Sequence, residues 1–484
     1  MELTDIKLFF PEISLIAGSI LILLFGIFFE KNKNFHNIIF YITIFSLAVS
    51  LYSLIYFVEV NTNSFNNLLE NSLYTFFFKI LVIIGTIIVT LFSYNYLEDL
   101  KIFKPEYFFL ILLSLLGVLI LISSRNILSM YLGLELQSIC LYILASYKID
   151  SIKSSESGVK YFIIGAFSSG ILIYGLSLIY AFTNSTDFYE ISKTLELSLI
   201  NNENYLILNT GFVLILCGLF FKIAVVPFHM WAPDVYEGSP TPITAFFTTI
   251  PKIGAIAFIV KFLSVPFEHY AYSWIQILYL VSLASMILGS IAALKQTNIK
   301  RLLAYSSINH MGFILIGILT ANNLGIKSIQ LYTLIYLINI LGIFTCILSL
   351  KNKANGYYLE NINNFSGLLK KNPFLAFSLG ILLFSIAGLP PLSGFFAKLY
   401  ILVAAVESKL YLLAFAGIFT SIISAFYYLR IVKIIIFDNA SNDIFVKVSN
   451  VYKVIILLSV IVSVFLILLI SKFLEFINTT SFIY

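Results

Sequence analysis

The residues with the most evident chemistry in this sequence are charged side chains that lie inside long apolar stretches. They are one glutamate and five lysines: Glu135, Lys79, Lys222, Lys252, Lys261 and Lys398. A charged side chain at the centre of a membrane helix costs roughly 2.5–3.5 kcal/mol on insertion scales, so it usually faces a protein interior or water. Groups that gain and lose a proton in such places are typical of ion and proton pathways.

Glu135 and Lys222 are the first candidates for a functional pair. Glu135 lies about eight residues into its apolar segment, roughly 12 Å from the start of a helix. This is too deep for a short carboxylate to reach bulk water, so the group is either protonated or paired with a cation. Lys222, in LFFKIAVVPFHMW, is the natural partner. A pair that separates and re-forms would switch the lysine between holding and releasing a proton; a static ion pair is the alternative.

Lys252 and His310 are candidate proton relays. Lys252 follows Pro251 in TTIPKIGAIAF, where the threonines and glycine allow both water and close packing. His310 lies in the polar run of LLAYSSINHMGFIL, and histidine titrates near neutral pH. A core histidine hydrogen-bonded to Ser306 or Asn309 is the alternative for His310.

Other charged residues receive structural interpretations. Lys79 and Lys261 lie near the ends of their apolar segments, so we expect each ammonium group to reach the interface by snorkelling. For His229, Asp234 and Glu237, which follow one another in PFHMWAPDVYEG, capping and turn roles suffice, with gating or proton uptake as the alternative.

Two of the apolar segments contain helix breaks. Pro227 follows Lys222 by five residues, and Pro390 and Pro391 precede Lys398 in AGLPPLSGFFAK. Proline removes a helical hydrogen bond, and loosened backbone at membrane depth persists only where it is buried in protein or lines a wet cavity. Breaks in corresponding places of two halves predict inverted repeats with an ion site at the midplane. A secondary transporter would have the same pattern.

Elements that cross a membrane must position these charges. Of 484 residues, 60% are hydrophobic and 11% charged, whereas soluble domains are about a quarter charged. Apolar segments of roughly 18–25 residues recur, each long enough to cross about 30 Å of hydrocarbon as a helix. The predicted spans, about fourteen, are 8–29, 37–58, 75–95, 107–123, 127–146, 160–182, 206–229, 241–263, 272–294, 302–320, 328–350, 374–406, 410–433 and 451–471. Short period-2 segments of a barrel do not occur, so we predict an all-α polytopic membrane protein.

The breaks fall in the seventh and twelfth predicted spans, which lie five apart. This spacing predicts two inverted five-helix repeats, 107–263 for spans 4–8 and 272–433 for spans 9–13. Residues 1–106 then form three N-terminal helices and 451–484 a C-terminal helix. The whole chain is predicted to be a single membrane domain.

Lysine and arginine residues are divided unevenly between alternate loops. About eighteen lie in one set of loops and about six in the other set, which includes both termini. Because basic residues remain on the cytoplasmic side, both termini are predicted to face away from the cytoplasm, or away from the matrix in a mitochondrion.

The sequence lacks the ligand patterns of a redox or metal enzyme. Cys140, Cys217 and Cys346 form no CxxC pair, and the four histidines have no spacing typical of haem or metal ligands. No glycine-rich phosphate loop follows a strand-like segment. The net charge of +5 is too small and too scattered to indicate nucleic acid binding. We therefore predict that this chain binds no redox cofactor and no metal.

Several of these motifs resemble a known family, the antiporter-like subunit N family of NADH:quinone oxidoreductase (respiratory complex I). They are FKIAVVPFHMWAPDVYEGSPTPITAFFTTIPKIGAIAF, KRLLAYSSINHMGFIL, AGLPPLSGFFAKLYIL and the opening PEISLIAGSILIL. The resemblance extends over essentially the whole chain, and the YEGSPTP block is highly specific. Subunit M is less similar, because an acid rather than a lysine is expected in its second broken helix.

The resemblance implies fourteen helices, two inverted repeats and a line of buried charges at mid-membrane. It marks Glu135 and Lys222 as a coupled pair, Lys252 as the central relay and Lys398 as the lysine of the second broken helix, with His310 on the same polar axis. It implies a proton-translocating enzyme subunit whose partners are other membrane subunits and the lipid bilayer. NADH, FMN, iron–sulfur clusters and quinone would be bound elsewhere in the complex.

These inferences combine into one mechanistic hypothesis. Quinone reduction in a neighbouring arm would alter the Glu135–Lys222 interaction, and a proton would pass through Lys252 and His310 toward Lys398 and the outer face. The expected location is the bacterial inner membrane, ahead of the mitochondrial inner membrane or the plastid thylakoid. Two alternatives stay open: a cation/proton antiporter subunit of a non-redox assembly, and a scaffold subunit whose charges form static ion pairs.

Overall fold

A computed structural model gives the architecture of the chain. The structure describes residues 3–28, 34–57, 62–201, 205–353, 356–439 and 444–480. The helices are α1 (Leu3–Leu8), α2 (Phe10–Phe28), α3 (Phe35–Tyr56), α4 (Leu73–Asp99), α5 (Pro105–Ser123), α6 (Ile127–Ala145), α7 (Ile152–Thr183), α8 (Phe188–Asn201), α9 (Tyr205–Ile223), α10 (Trp231–Gly238), α11 (Thr241–Ser264), α12 (Ala271–Leu294), α13 (Ile299–Leu319), α14 (Asn323–Ile347), α15 (Leu368–Lys371), α16 (Pro373–Ala387), α17 (Ser393–Glu407), α18 (Tyr411–Ile436), α19 (Asn450–Phe465) and α20 (Ile470–Thr480).

The strands of the described residues are short and lie between helices. β1 (Thr62–Ser64) pairs with β2 (Leu69–Asn71), and β3 (Leu350–Asn352) pairs with β4 (Ile444–Val446), both antiparallel. Each forms a two-stranded ribbon of three residues per strand. They connect spans rather than build a core.

The prediction of an all-α polytopic membrane protein is confirmed. Thirteen helices of the described residues are long and apolar enough to cross a membrane. The remaining predicted span, 374–406, is divided into two helices, α16 and α17, which are separated at residues 388–392. The predicted span 206–229 is also shorter than expected, because α9 ends at Ile223. Both helix breaks therefore exist; the inverted symmetry of the repeats stays a prediction.

Side-chain caps fix where the helices that carry the candidate residues begin. Asn126 precedes α6 and accepts a hydrogen bond from the backbone N–H of Leu128. Asn298 precedes α13 and accepts hydrogen bonds from two N–H groups of its first turn. Asparagine is among the preferred N-cap residues because its side-chain oxygen satisfies donors that have no partner within the helix. These caps set the register of Glu135 and His310 relative to the helix starts.

The chain divides into two compact units. The first unit comprises Met1–Thr90, Ile102–Ala224 and Ile250–Gln276, and the second comprises Leu91–Lys101, Val225–Thr249 and Ile277–Tyr484. Glu135, Lys222 and Lys252 belong to the first unit, whereas His310 and Lys398 belong to the second. The candidate residues thus form two groups.

Close helix contacts through small residues shape the first unit. A Cβ atom at Gly133 in α6 would lie 2.9 Å from the carbonyl oxygen of Gly117 in α5. No larger residue fits without moving a backbone, and small residues at such crossings let membrane helices approach closely. Because Gly133 is two residues from Glu135, this contact fixes the height and rotation of the glutamate.

Candidate functional site

Lys222 lies in the last turn of α9, where it is buried and contacts two serines. Its ammonium Nζ donates to Ser138 Oγ in α6 at 2.7 Å and to Ser169 Oγ in α7 at 3.4 Å. The Ser138 hydroxyl in turn donates to the carbonyl oxygen of Leu134 at 2.5 Å, so its oxygen is free to accept from the lysine. Only 7% of Lys222 is exposed. Lys222 is therefore held by neutral oxygen atoms.

Glu135 lies one turn before Ser138 on α6, but it does not contact the lysine. Among the ion pairs of the described residues, none joins Glu135 to Lys222, so the predicted direct pair is replaced by an electrostatic attraction across a gap. The glutamate is half-buried, and its Oε1 atom is shielded from solvent without a hydrogen-bond partner in the described part of the chain. The reason is steric order along α6: Ser138 occupies the position next to the ammonium group.

The break after Lys222 begins where α9 stops. Ala224 adopts the left-handed conformation, with φ of 57°, and the Val226–Pro227 peptide bond is cis. The backbone N–H of Val226, which no longer bonds within a helix, donates to Ser285 Oγ at 2.9 Å. The helix that carries the lysine therefore ends one residue beyond it, at Ile223, and the short helix α10 begins at Trp231.

Lys252 lies in α11 directly after Pro251 and is 1% exposed. Because Pro251 has no N–H, it cannot bond to the carbonyl oxygen of Phe247 one turn earlier. The Tyr236 hydroxyl of α10 donates to that carbonyl at 3.2 Å. Gly254, two residues after Lys252, packs against Val118. A Cβ atom at position 254 would lie only 2.5 Å from the valine side chain. The surroundings of Lys252 are therefore tightly packed, and α11 continues through Pro251 with one backbone hydrogen bond fewer.

His310 lies in α13 between two tyrosines of the second unit. Its Nδ1 and the Tyr332 hydroxyl are hydrogen-bonded at 2.6 Å, and its Nε2 lies 3.4 Å from the Tyr428 hydroxyl. Ser306 forms a short hydrogen bond to the same Tyr428 hydroxyl. Of the two predicted alternative partners of His310, Ser306 is thus linked to the ring through Tyr428, and the relay role of His310 stays a prediction.

Lys398 lies in α17, just past the second break, and is also held by neutral oxygens. Its Nζ donates to the carbonyl oxygen of Ala387, the last residue of α16, at 2.7 Å and to Ser424 Oγ at 3.5 Å. Ala387 is followed by Gly388, which has φ of 88° and ends the helix. The break therefore supplies the acceptor: a carbonyl of the last helical turn, which has no partner within its helix, binds the ammonium group.

His310 and Lys398 line the same cavity. The cavity is small, about 10 Å³, and Tyr332, Tyr336 and Asn339 of α14 form part of its wall. Ordered water in a polar cavity can bridge groups that do not touch each other. The structure thus brings together the two candidate residues that the sequence placed 88 positions apart.

Both lysines assigned to snorkelling are buried and paired with acids inside the protein. Lys79 forms an ion pair with Glu12 at 2.7 Å, and Lys261 forms one with Glu70 at 3.2 Å. Lys79 and Lys261 are 2% and 0% exposed. The snorkelling prediction is wrong because an acid from a distant part of the chain pairs with each lysine inside the protein.

The residues after Pro227 have both predicted and unpredicted roles. His229 takes part in a turn, since its carbonyl oxygen accepts from Ala232 N–H at 3.0 Å. Asp234 and Glu237 instead form ion pairs with Arg301, at 2.8 and 3.1 Å. These pairs tie α10 to the first turn of α13, the helix that carries His310.

Several hydrogen-bond partners of the candidate residues were not predicted from the sequence. Ser138 was detectable in principle, because it lies three positions after Glu135 and such residues share a helix face. Ser169, Tyr332, Tyr428 and Ser424 come from other helices, and nothing in their local sequence indicates what they contact.

Comparisons with known proteins agree in family and fold. Residues 124–424 match the family described as NADH:quinone oxidoreductase/Mrp antiporter, TM. The NADH-quinone oxidoreductase subunit N of Pelagibacter ubique (strain HTCC1062) is 44% identical over 463 residues, which cover 94% of this chain and 96% of that protein. A chain of respiratory complex I from Thermus thermophilus with bound aureothin aligns with a TM-score of 0.80 and 25% identity, covering 96% of this chain and 98% of that chain. A chain of the Mrp complex from Dietzia sp. DQ12-45-1b has a similar fold, with a TM-score of 0.83, 18% identity and coverage of 99% and 97%.

Proposed function

Because this chain belongs to the subunit N family of NADH-quinone oxidoreductases, we propose that it is a proton-translocating membrane subunit of such a complex. In this proposal, quinone reduction elsewhere in the complex drives protons through the buried lysines of this chain. The chain itself binds no redox group; NADH, FMN, iron–sulfur clusters and quinone are bound by other subunits.

One observation carries the proposal: Lys222 and Lys398 each lie at a helix break, buried, with neutral oxygen atoms as their acceptors. Removing the proton from a lysine in a buried ion pair leaves a carboxylate without its partner, which is strongly unfavourable. A lysine held by serine and carbonyl oxygens leaves no such charge behind. Lys222 and Lys398 can therefore alternate between charged and neutral forms, whereas Lys79 and Lys261 are opposed by acids.

Glu135 is the control element of the first unit in this mechanism. Its carboxylate attracts the Lys222 ammonium from a distance, so a small displacement of α6 or α9 changes the free energy of the charged lysine. Interaction between charges rises steeply as they approach in a medium of low dielectric constant. A signal that moves Glu135 toward or away from Lys222 therefore makes the lysine take up or release its proton, and Lys252 is the next acceptor.

The second unit supplies a relay that includes a titratable ring. His310 and Lys398 face one cavity, and the Tyr332 and Tyr428 hydroxyls hold the imidazole in position. A proton on His310 moves to Lys398 through water in the cavity and then toward the outer face. Transfer from Lys252 to His310 links the two groups in this proposal.

The proposal also covers the assembly and its location. The partners are other membrane subunits of the complex and the surrounding lipid, and the chain is a multi-pass membrane protein with thirteen candidate spans among its described residues. We place it in a bacterial inner membrane with both termini on the non-cytoplasmic side, as the distribution of basic residues predicts.

The test is proton uptake by inverted membrane vesicles with Lys222→Met, expressed per NADH oxidised at equal amounts of assembled complex. Lys193→Met is the matched control, because Lys193 is an exposed lysine of the same unit. We expect Lys222→Met to lower proton uptake per NADH and Lys193→Met to leave it unchanged. Unchanged uptake with Lys222→Met would favour a static scaffold, and transport that requires Na⁺ or K⁺ would favour a cation/proton antiporter.

A further inference from the structure

The first unit contains a second group of buried charges that the mechanism above does not use. It consists of Glu12, Lys79, Lys261 and Glu70, which we call the charge quartet. Glu12 and Lys79 form one ion pair and Glu70 and Lys261 the other. The four residues are 0%, 2%, 0% and 7% exposed in the order Glu12, Lys79, Lys261, Glu70. The two lysines lie close enough to repel each other, so the pairs form one electrostatic group.

The charge quartet continues toward the surface through side-chain contacts. The Tyr189 hydroxyl donates to Glu70 at 3.5 Å, and the Arg125 guanidinium lies 4.3 Å from the centre of the Tyr189 ring. Arg125 is ion-paired with Asp187 at 3.1 Å, and both side chains are partly exposed. A line of ionisable groups therefore runs from the fully buried Glu12 to residues that meet solvent.

A cavity reaches the quartet at Lys79. It is small, about 30 Å³, and lies where the start of α2, the end of α3 and the start of α4 meet. Lys79 forms part of its wall, together with the polar residues Ser53, Asn71, Ser72 and Thr75. A space of this size with several polar side chains in its wall can hold water. Lys79 therefore borders a space that water can enter, with Glu12 as its ion-pair partner.

Two polar atoms of the charge quartet lack the hydrogen bonds that a purely structural pair of ion pairs would need. Glu12 Oε2 has no hydrogen-bond partner within the described residues, and Lys261 Nζ, 3.2 Å from Glu70, makes no hydrogen bond of good geometry there. A buried ion pair stabilises a fold only when its remaining lone pairs and protons are also bonded. Glu12 Oε2 is therefore an acceptor that remains open to a proton, and Lys79 is the member of its pair that borders the cavity.

We propose that the charge quartet is a second protonation site of the first unit, which exchanges protons with water in the cavity at Lys79. When the Glu12–Lys79 pair opens, water of the cavity that Lys79 lines solvates its ammonium group in place of the carboxylate. The Glu12 carboxylate then takes one proton from a hydronium ion, which leaves a water molecule and a neutral acid. The reverse step returns the proton to water, and the pair re-forms. This inference rests on the proposed pumping role. It adds a proton port near the end of α3 and the start of α4, the two helices that β1 and β2 connect.

The first experiment removes both charges of one pair, so that no buried charge is left without a partner. The double variant Glu12→Gln/Lys79→Met is compared with Glu156→Gln/Lys160→Met, an exposed ion pair of α7 with the same 2.7 Å distance. Proton uptake per NADH is measured in inverted vesicles at equal complex content. We expect the buried double variant to oxidise NADH but to lose part of its proton uptake, and the exposed one to behave as the unmodified chain.

Full proton uptake per NADH in the buried double variant overturns the proposal and identifies the quartet as a static lock. If that variant does not assemble, Glu12→Gln/Lys79→Gln, which removes both charges but keeps polar side chains at both positions, is measured instead, with the same two outcomes. Lys222→Met serves as the reference: if it also leaves uptake unchanged, the proposed function fails. If Lys222→Met lowers uptake and the quartet variants do not, only the present inference fails.

A second experiment tests whether water enters the cavity. Ser53 and Ser50 are both buried serines of α3, but only Ser53 lines the cavity. In a Cys217→Ser background, Ser53→Cys and Ser50→Cys are treated with a charged, membrane-impermeant thiosulfonate in the purified complex. We expect modification of Ser53→Cys and none of Ser50→Cys. An unmodified Ser53→Cys overturns the proton port as a cavity that is open to the aqueous phase.

Discussion

Substituting Gly388 by alanine displaces Lys398 without changing any charge. Gly388 ends α16 in the left-handed region, with φ of 88°, and a Cβ atom there would lie 2.9 Å from Lys398 Cδ and 3.3 Å from its Nζ. A residue other than glycine costs roughly 1–2 kcal/mol in this backbone conformation. The added methyl group also occupies the space of the lysine stem, so the stem must shift, which strains or breaks the 2.7 Å bond from Lys398 to the Ala387 carbonyl.

The size of the effect follows from that bond. A hydrogen bond to a charged group contributes about 1.5–3 kcal/mol, so its loss lowers the population of the seated lysine by roughly 10- to 150-fold. The conformational strain adds a stability loss that does not depend on Lys398. We therefore expect Gly388→Ala to lower both the thermal midpoint of the complex and proton uptake per NADH.

Two other glycines separate these contributions. Gly356 has a similar φ of 71° with nothing within 4 Å of an added Cβ, so Gly356→Ala carries the backbone strain alone. Gly380 lies in the same helix as Ala387, also with open space around an added Cβ, so Gly380→Ala carries neither effect. Proton uptake per NADH should be normal in both controls and reduced in Gly388→Ala. Normal uptake in Gly388→Ala at full assembly would refute the assignment of Lys398 to the working path.

The second unit supports three further predictions. Tyr332→Phe removes the hydroxyl 2.6 Å from His310 Nδ1, so we expect slower pumping with normal assembly on a native gel; unchanged pumping would argue that the histidine is structural. Arg301→Gln removes two ion pairs whose members are about one-fifth to one-third exposed, so the thermal midpoint should fall by an amount equivalent to no more than ~1 kcal/mol, and a collapse of assembly would contradict this. Burial, followed by the charges of Tyr452 and Asp99, raises the pKa of Tyr358 well above its ordinary value. Because the pKa of Tyr358 is higher in the folded chain than in the unfolded chain, the contribution of this hydroxyl to stability is constant up to about pH 10 and is lost above it. Thermal midpoints measured against pH should therefore fall more steeply above pH 10 in the unmodified chain than in Tyr358→Phe, and equal slopes would contradict this.

The sequence predicted the helices well because span length and hydropathy are local properties. Each predicted span corresponds to a helix or, at 374–406, to the two helices on either side of Pro390 and Pro391. The breaks were detectable because proline cannot donate a helical hydrogen bond. These features need no knowledge of which helices are neighbours.

Pairing between helices was not predictable in the same way. These helices are apolar on nearly all sides, so hydrophobic periodicity does not show which face meets which neighbour. Glu12 lies 67 positions from Lys79 and Glu70 lies 191 positions from Lys261, and neither pair has a local signal. The same limit explains why Glu135 was assigned directly to Lys222, when the rotation of α6 places Ser138 against the ammonium group instead.

The candidate set itself could be chosen from the sequence, because a charge at membrane depth is costly wherever it lies. All five candidate residues, Glu135, Lys222, Lys252, His310 and Lys398, are buried or half-buried. The sequence did not distinguish the lysines that face neutral oxygen atoms from the lysines that face acids. That distinction, which decides whether a lysine can lose its proton at low cost, depends on tertiary contacts.

The most direct test of the account is whether Lys222 and Lys398 act in series. Proton uptake per NADH is measured in inverted vesicles for Lys222→Met, Lys398→Met and the double variant, each at the same content of assembled complex. If protons follow a single path through both units, the two single variants and the double variant should all have the same reduced proton uptake per NADH. A double variant that pumps less than either single variant would mean two parallel paths, and a ratio equal to that of the unmodified complex in all three would mean that the buried lysines carry no protons.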